Sequence, residues 1–270
     1  MSKISLILLI CFPFIAASCY NYGYYQHPMQ SITAYRNIPL KSDSLRSATY
    51  LSGSIIGGVA NHSWRDEILG FSGSIHRAHV LGDLQFHYGL NGTIGKYRAS
   101  DYSFHGLFQF ENENLNPTLI DSLNGTKFFG SYGFGGGINW VKATEKVEAR
   151  IIGIEFNWQH EWDNDYHAFR NKLPIDAANL IDYRRNYSSI AVTSEFIWRL
   201  TRNRGGYKAS VGIMIPGADY YNTNKDKRKV YPGFLSQTAH VEMGKFLYYG
   251  QLTFGYRVAN MHVGINYRLR

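Results

Sequence analysis

Cysteine, proline and long apolar runs are all scarce in this sequence. Its 270 residues include 2 Cys and 7 Pro, and beyond Ile15 no stretch approaches the ~20 apolar residues that a membrane-spanning helix needs. So few cysteines exclude a scaffold built on disulfides. The lack of apolar runs excludes a bundle of membrane helices, and the mean hydropathy of −0.28, taken alone, is that of a water-soluble protein.

Aromatic residues and glycine, by contrast, are abundant. The chain has 21 Tyr, 16 Phe and 27 Gly. Aromatic side chains favour strands and glycine disfavours helices, so this composition favours an all-β protein. A chain of this length can form one domain, since single barrels of roughly 200–250 residues are common.

Basic residues outnumber acidic ones and give a formal net charge of +8. They do not form one stripe, because Arg184 with Arg185, Arg202 with Arg204, and residues 225–229 each fall where a loop or turn is predicted. A nucleic-acid-binding face would concentrate such charge, so we expect no nucleic-acid partner. We expect these side chains to be solvated or to face anionic lipid headgroups.

The N-terminus has the features of a secretory signal peptide. Lys3 precedes an apolar run over residues 4–15, and three small residues follow at 16–18. A positive start, an apolar stretch and a small-residue cleavage site are the parts of such a signal. Residues 1–18 are therefore predicted to be removed on export.

Residues 15–19, Ile-Ala-Ala-Ser-Cys, resemble a bacterial lipobox, in which the cysteine becomes the first mature residue and carries acyl chains. Ala16 departs from the usual pattern, which has a larger aliphatic residue there. Cys11 lies in the discarded segment, so Cys19 is the lone cysteine of the predicted mature chain, and lipidation explains its presence. In the alternative interpretation the signal is an ordinary one and Cys19 is incidental. Residues 20–23 are not acidic, so we expect the anchor in the periplasmic leaflet.

Apolar and polar residues alternate through most of the chain after residue 46. In the last segment Met261, Val263 and Ile265 alternate with His262 and Gly264. Successive residues of a strand point to opposite faces, so one face is apolar and the other polar. Segments of 11–17 residues are long enough to cross a bilayer at the usual tilt. Ten show the pattern: 47–61, 68–81, 83–98, 126–142, 146–161, 187–202, 206–216, 234–244, 246–258 and 260–270.

These segments predict an all-β fold, a transmembrane antiparallel up-and-down barrel over residues 46–270 with about ten strands, or eight if two are misassigned. The predicted connections support it, because long loops alternate almost throughout with tight turns, as in outer-membrane barrels with long extracellular loops and short periplasmic turns. Both termini are then predicted in the periplasm. Residues 19–45 show no clear period and are predicted to be a lipidated linker or a short plug.

The lipobox-like start, the Tyr- and Gly-rich body and the closing strand at 263–268 resemble outer-membrane barrel proteins of Bacteroidota-type bacteria. The resemblance spans nearly the whole chain, but it is generic and includes no catalytic motif. It implies a place in the bacterial outer membrane, as a porin-like barrel or as a subunit of an envelope machine.

The polar face of the predicted barrel carries charged residues that would line a lumen. A barrel of ten strands is narrow and mostly filled by side chains, which favours a hydrogen-bonded network of acids and bases, with His87 and His240 on the same face. Glu155 and Glu195 are predicted at similar depth on neighbouring strands, and the alternative is acid–base chemistry by this carboxylate pair. The predicted lumen network consists of Glu155, Glu195, Arg199, Glu242, Arg257, His262 and Arg268.

Three further motifs lie in or near the predicted loops. Residues 162–167, Trp-Asp-Asn-Asp-Tyr-His, are similar to the mouth of ten-stranded surface proteases, which would need further acids such as Asp101, Asp121 and Asp219; a solvated loop is the favoured interpretation. Residues 134–138, Phe-Gly-Gly-Gly-Ile, lack the following helix of a phosphate site and predict a bend or close packing. Residues 174–185 predict a short helix.

The sequence therefore favours a non-enzymatic barrel lipoprotein: a structural or accessory subunit of an outer-membrane complex, or a small pore. The alternative is an outer-membrane hydrolase or lipid-modifying enzyme with its site at the extracellular mouth. We expect outer-membrane lipids as partners, other outer-membrane or periplasmic proteins as candidate partners, and neither a cofactor nor a metal site. Since a lipid anchor is superfluous for a pore, the subunit is favoured.

Overall fold

The computed structural model describes residues 24–29, 35–43, 45–61, 64–100, 124–173, 180–199, 203–221 and 227–269. The predicted signal peptide (1–18) and the predicted lipidation site Cys19 lie outside these residues, as do Asp101 and Asp121.

The described residues form fourteen strands and one helix. They are β1 (Tyr24–Tyr25), β2 (Ser47–Ala60), β3 (Asp66–Leu81), β4 (Leu84–Ala99), β5 (Gly125–Ala143), β6 (Val147–Glu161), α1 (Asp165–Lys172), β7 (Leu180–Ile181), β8 (Asn186–Arg199), β9 (Arg204–Ile215), β10 (Ala218–Tyr221), β11 (Lys227–Val230), β12 (Gly233–Met243), β13 (Phe246–Gly255) and β14 (Val258–Arg268).

Ten of these strands form a closed antiparallel barrel in the order β12-β13-β14-β2-β3-β4-β5-β6-β8-β9. The last strand closes the barrel by pairing with the first, from Val258 opposite Ala60 to Arg268 opposite Tyr50. Closure pairs the backbone N–H and C=O groups at every strand edge, as a sheet in hydrocarbon requires. The predicted ten-stranded up-and-down barrel is confirmed, and each strand lies within a few residues of its predicted segment.

The barrel wall has the opposite polarity to a water-soluble protein. Outward side chains are apolar and exposed, with Ile55 64% and Leu90 63% accessible, whereas the inward residues Gln85 and His262 are 0% accessible. A soluble sandwich would bury its apolar face instead. A closed barrel with an apolar outer wall is the architecture of a transmembrane outer-membrane protein.

A β-bulge in β6 changes which residues face the lumen. The register with β8 shifts between Arg150 and Gly153, and Ile151 and Ile152 both point outward. The extra residue reverses the alternation, as bulges do. Arg150 therefore faces inward, on the same side as Glu155, although simple alternation with Ile152 would place it outside.

The two ends of the barrel differ in their connections. At one end, which we call the loop end, strands are joined by residues 61–65, 100–124, 162–185, 216–232 and 256–257. At the other, the turn end, the connections are residues 82–83, 144–146, 200–203 and 244–245. In outer-membrane barrels the long loops lie outside the cell and the short turns face the periplasm.

Loop-end residues form a cap over the barrel. A small sheet of order β1-β7-β10-β11 lies there with α1. The Asn164 side chain caps α1 by accepting a hydrogen bond from the His167 N–H at 2.8 Å. Of the helix predicted at 174–185, residues 180–185 are not helical, since β7 occupies Leu180–Ile181, and residues 174–179 lie outside the described set. In the described residues no helix is long and apolar enough to cross a membrane.

Candidate functional site in the barrel lumen

The N-terminal part of the chain runs through the lumen. We call its described residues, 24–29 and 35–43, the luminal segment. At the loop end the Tyr24 N–H donates to Asn61 Oδ1 at 2.9 Å. At the turn end Lys41 forms an ion pair with Asp83. The sequence predicts either a linker or a short plug here, and the position of these residues inside the lumen is that of a plug.

The course of the luminal segment separates the two ends of the described chain. Tyr24 lies at the loop end, whereas β14 runs to the turn end, where the Leu269 N–H bonds the carbonyl of Thr49 at the start of β2. The sequence analysis places both chain ends on the periplasmic side. The described residues instead place Tyr24 and the end of β14 at opposite ends of the barrel.

Wall side chains satisfy the backbone of the luminal segment, which has no neighbouring strand over residues 35–43. Arg150 Nη2 donates to the Ile38 carbonyl at 2.8 Å, and Gln85 Nε2 donates to the Pro39 carbonyl at 3.0 Å. The Lys41 N–H donates to Glu148 Oε2 at 2.8 Å. Buried backbone groups need such partners, so the luminal segment is fitted to this wall.

An ion pair between Arg150 and Glu195 lies at the centre of the lumen. Glu195 also accepts hydrogen bonds from the Tyr35 hydroxyl at 2.7 Å and pairs with His240 Nε2 at 2.8 Å. Arg150 Nε donates to Gln85 Oε1 at 2.6 Å. Each charged group is thus neutralised and hydrogen-bonded, which a buried charge requires.

Glu155 forms a separate pair on the same wall. Its carboxylate bonds Lys208, and His87 Nε2 lies 3.9 Å away. In the register of β6 and β8, Glu155 is opposite Ala191 while Glu195 is opposite Arg150. The prediction that the two glutamates share one depth is therefore wrong, and no carboxylate pair for acid–base chemistry forms between them.

Further ion pairs lie at the turn end of the lumen. Arg204 forms a bidentate pair with Asp43 at 2.7 and 2.8 Å, and its Nη1 lies 3.8 Å from Glu242. Arg268 is 3.6 Å from Glu242, and Arg199 is 4.0 Å from Glu148. The pair of Asp43 and Arg204 joins the luminal segment to the barrel close to the start of β2, and the other pairs join barrel strands around it.

The turn residue Asp83 anchors the luminal segment from outside the strands. It pairs with Lys41 and, at 3.0 Å, with Lys142. Hydrogen bonds from these two lysines hold the pKa of Asp83 below its usual value. The carboxylate therefore stays charged and retains both lysines over the ordinary range of pH.

Two residues of the predicted network behave differently from the rest. Arg257 lies in the turn between β13 and β14 with φ 59°, so it belongs to the loop end and not to a strand inside the lumen. His262 faces the lumen and is fully buried, but neither ring nitrogen has a hydrogen-bond partner in the described residues.

Glycines in β5 make room for the luminal segment. Gly133, Gly135 and Gly137 alternate along the inward face of this strand. A Cβ at Gly135 would lie 2.9 Å from Arg36 Nη1 and 2.7 Å from the Phe156 carbonyl oxygen. The Gly-rich motif at 134–138 thus permits the close approach of another segment, as one of the two sequence interpretations expects.

An apolar core closes the loop end of the lumen. Tyr25 and Met29 of the luminal segment pack with Phe129 of β5 and with Phe169 of α1 in one buried cluster. The Tyr166 hydroxyl of α1 donates to the Gln26 carbonyl at 2.9 Å. This core, the central ion pairs and the turn-end ion pairs obstruct the lumen at three depths.

Beneath α1, Arg170 forms a fully buried pair with Glu161 of β6. Burial lowers the pKa of Arg170, but the Glu161 carboxylate beside it outweighs burial and raises the pKa above its usual value. The guanidinium therefore stays charged and fastens the helix to the barrel wall.

The protease-like motif serves the cap. His167 contacts Asn171 at 3.2 Å and the Tyr183 carbonyl at 3.4 Å, and Asp163 pairs with Arg185 at 3.0 Å. Asp219 lies in β10 opposite Lys229. Within the described ranges, no group of three His, Cys, Asp or Glu side chains is placed to hold a metal ion.

Sequence reasoning missed the residues that join wall and luminal segment, namely Arg150, Lys208, Glu148, Gln85 and Tyr35. The one signal for Arg150 was the Ile151-Ile152 pair, which interrupts the alternation at the bulge.

No family model matches the chain, and no curated protein does. Among solved structures it is similar to the β domain of the Bordetella autotransporter BrkA, with 10% identity over 82% of this chain and 99% of that one and a TM-score of 0.38. It is also similar to the Pseudomonas putida toluene transporter TodX (10% identity, 90% and 72% covered, TM-score 0.33) and to Ail of Yersinia pestis (8%, 83% and 98%, 0.29). These similarities are too weak to indicate a function.

Proposed function

We propose that this protein is a non-conducting barrel lipoprotein of the outer membrane that acts as a structural or accessory subunit of an outer-membrane complex. The luminal segment supports the proposal, because it crosses the lumen and bonds the polar groups of its wall. A pore needs an open lumen, whereas a subunit uses its outer wall and loops. Acyl chains on Cys19, superfluous for a pore, suit a protein held in a membrane assembly.

Opening a path would require the luminal segment to leave. Its removal takes Tyr35 from Glu195, the Ile38 carbonyl from Arg150 and the Pro39 carbonyl from Gln85. A buried polar group left without its partner costs roughly 1–3 kcal/mol, so several such losses strongly favour the closed state. The inward wall residues are almost inaccessible, which agrees with a lumen that has no water path along the described residues.

The loop-end cap offers a surface for a partner protein. Aromatic side chains are enriched at protein interfaces, and several at the loop end are exposed although they lie beyond the strands that face lipid. They are Trp162, Tyr183, Tyr231 and Tyr256.

Conductance in planar bilayers tests whether the barrel is closed. The intact protein should give no steady current, whereas a variant lacking residues 24–43 should conduct, which shows that the assay detects an open lumen. A steady current through the intact protein equal to that of the deletion variant would overturn the proposal.

Extraction in mild detergent with an affinity tag tests the subunit role. We expect a stoichiometric outer-membrane or periplasmic protein to co-purify, and Tyr183→Ser with Tyr231→Ser should reduce its recovery. A matched control is Val263→Leu on the lipid-facing wall, which should not. Purification of the barrel alone would contradict a subunit role.

A further inference from the structure

The direction of the luminal segment determines where the preceding chain emerges. From Asp43 at the turn end to Tyr24 at the loop end, the segment passes the whole length of the lumen. Tyr24 pairs in parallel with Leu180 of the cap, and its ring packs edge-on against Tyr256 at 5.2 Å between centroids. Both neighbours belong to loop-end connections.

The loop-end position of Tyr24 is fixed by buried groups. Asn61, which accepts the hydrogen bond from the Tyr24 N–H, donates to Asp66 at 3.0 Å and to the Tyr97 hydroxyl at 2.6 Å, and Tyr97 donates to Asp66 at 2.5 Å. Asn61, Asp66 and Tyr97 are all almost fully buried. This network ties the start of the luminal segment to the loop-end rims of β2, β3 and β4.

The chain is too short between residues 19 and 24 to return through the membrane. Five residues reach at most about 18 Å when fully extended, since each adds no more than ~3.6 Å. The hydrocarbon core of a bilayer is ~30 Å thick. The lumen, moreover, is already occupied by the luminal segment.

We propose that the chain immediately before Tyr24 lies on the extracellular side, so that the barrel presents its own N-terminal end at the cell surface. Acyl chains on Cys19 then enter the outer leaflet, not the periplasmic leaflet that the sequence favours. The leaflet assignment rests on the lipidation proposed above. The extracellular position of the chain before Tyr24 rests only on the place of Tyr24 at the loop end.

A cysteine at residue 21 tests this topology in intact cells. Asn21→Cys should react with a membrane-impermeant maleimide to the same extent as Tyr231→Cys, an exposed loop-end position. Lys146→Cys, in an exposed turn at the opposite end, should react only after the outer membrane is permeabilised. Tyr22→Cys provides a second position, and heat-modifiable electrophoretic mobility verifies that each barrel is folded.

The outcomes separate topology from lipidation. Reaction of the residue-21 and residue-22 cysteines only after permeabilisation, or at neither stage in folded barrels, overturns the proposal. The unsubstituted protein should not react, because acylation blocks the Cys19 thiol. Its reaction in intact cells would refute lipidation while supporting the extracellular position.

Discussion

Arg150 and Glu195 lie directly opposite each other on β6 and β8, and their side chains form a buried ion pair in the middle of the barrel. Arg150 is only 1% accessible, and its other nitrogens donate to Gln85 and to the Ile38 carbonyl. One guanidinium thus joins β4, β6, β8 and the luminal segment. Arg150 therefore links the luminal segment to three strands of the barrel wall.

Replacing Arg150 should strongly destabilise the barrel. Arg150→Met leaves the buried Glu195 with Tyr35 and His240 but without its arginine, and removal of one partner of a buried pair costs about 3–5 kcal/mol. Urea unfolding in detergent, followed by tryptophan fluorescence, measures the loss. The matched control is Lys142→Met, which removes a base from an exposed pair with Asp83 and should cost much less, because solvent screens this pair. Equal losses in the two variants would show that the central pair contributes no more to the free energy of unfolding than the exposed pair does.

A side chain at Gly135 should displace the luminal segment. In Gly135→Val the new atoms would meet Arg36 and the Phe156 carbonyl, and the carbonyl cannot move without disturbing the sheet. We expect lower stability and faster tryptic cleavage at Arg36. Gly57→Ala is the control, since a Cβ there meets nothing within 4 Å. If Arg36 remains equally protected from trypsin in Gly135→Val, the close contact between Gly135 and Arg36 does not hold the luminal segment in place.

The pair of Asp43 and Arg204 should fasten the luminal segment at the turn end. Asp43→Arg places two cations together and should speed tryptic cleavage after Lys41, while the exchange Asp43→Arg with Arg204→Asp restores protection. The pair is partly exposed, so we expect a coupling of about 1 kcal/mol in a double-mutant cycle. Zero coupling would indicate that Glu242, 3.8 Å from Arg204, suffices to hold this arginine.

The barrel could be predicted from the sequence because its pattern is local. The outward residue Leu252, for example, lies between the inward polar residues Gln251 and Thr253, and a period of two needs no knowledge of distant contacts. The same rule fails for Arg150, since the bulge after it shifts the alternation by one residue. The pair Ile151-Ile152 marks this shift only once the fold is known.

The lumen could not be predicted in the same way. Residues 35–43 have no period because their partners are wall side chains far away in sequence, such as Gln85 for Pro39 and Glu195 for Tyr35. The glycine at Gly135 indicates close packing, but it does not indicate that the luminal segment is what packs there. The helix α1 was not predicted, although Asn164 followed by Asp165 is a recognisable helix start.

His27 should make the loop-end cap sensitive to acid. Its Nδ1 lies 2.8 Å from the Tyr187 hydroxyl, and burial lowers the pKa of His27 from 6.5 to about 4. The unfolded chain therefore binds a proton between these pH values that the folded chain does not, so stability is full above pH 6.5 and falls as the pH drops towards 4. The contribution is on the order of 3 kcal/mol. Unfolding measured from pH 7.5 to 4 should thus be steeper for the unsubstituted protein than for His27→Gln, in which the titrating group is absent. Parallel pH profiles would show that His27 is protonated without cost and that the acid sensitivity arises elsewhere in the lumen.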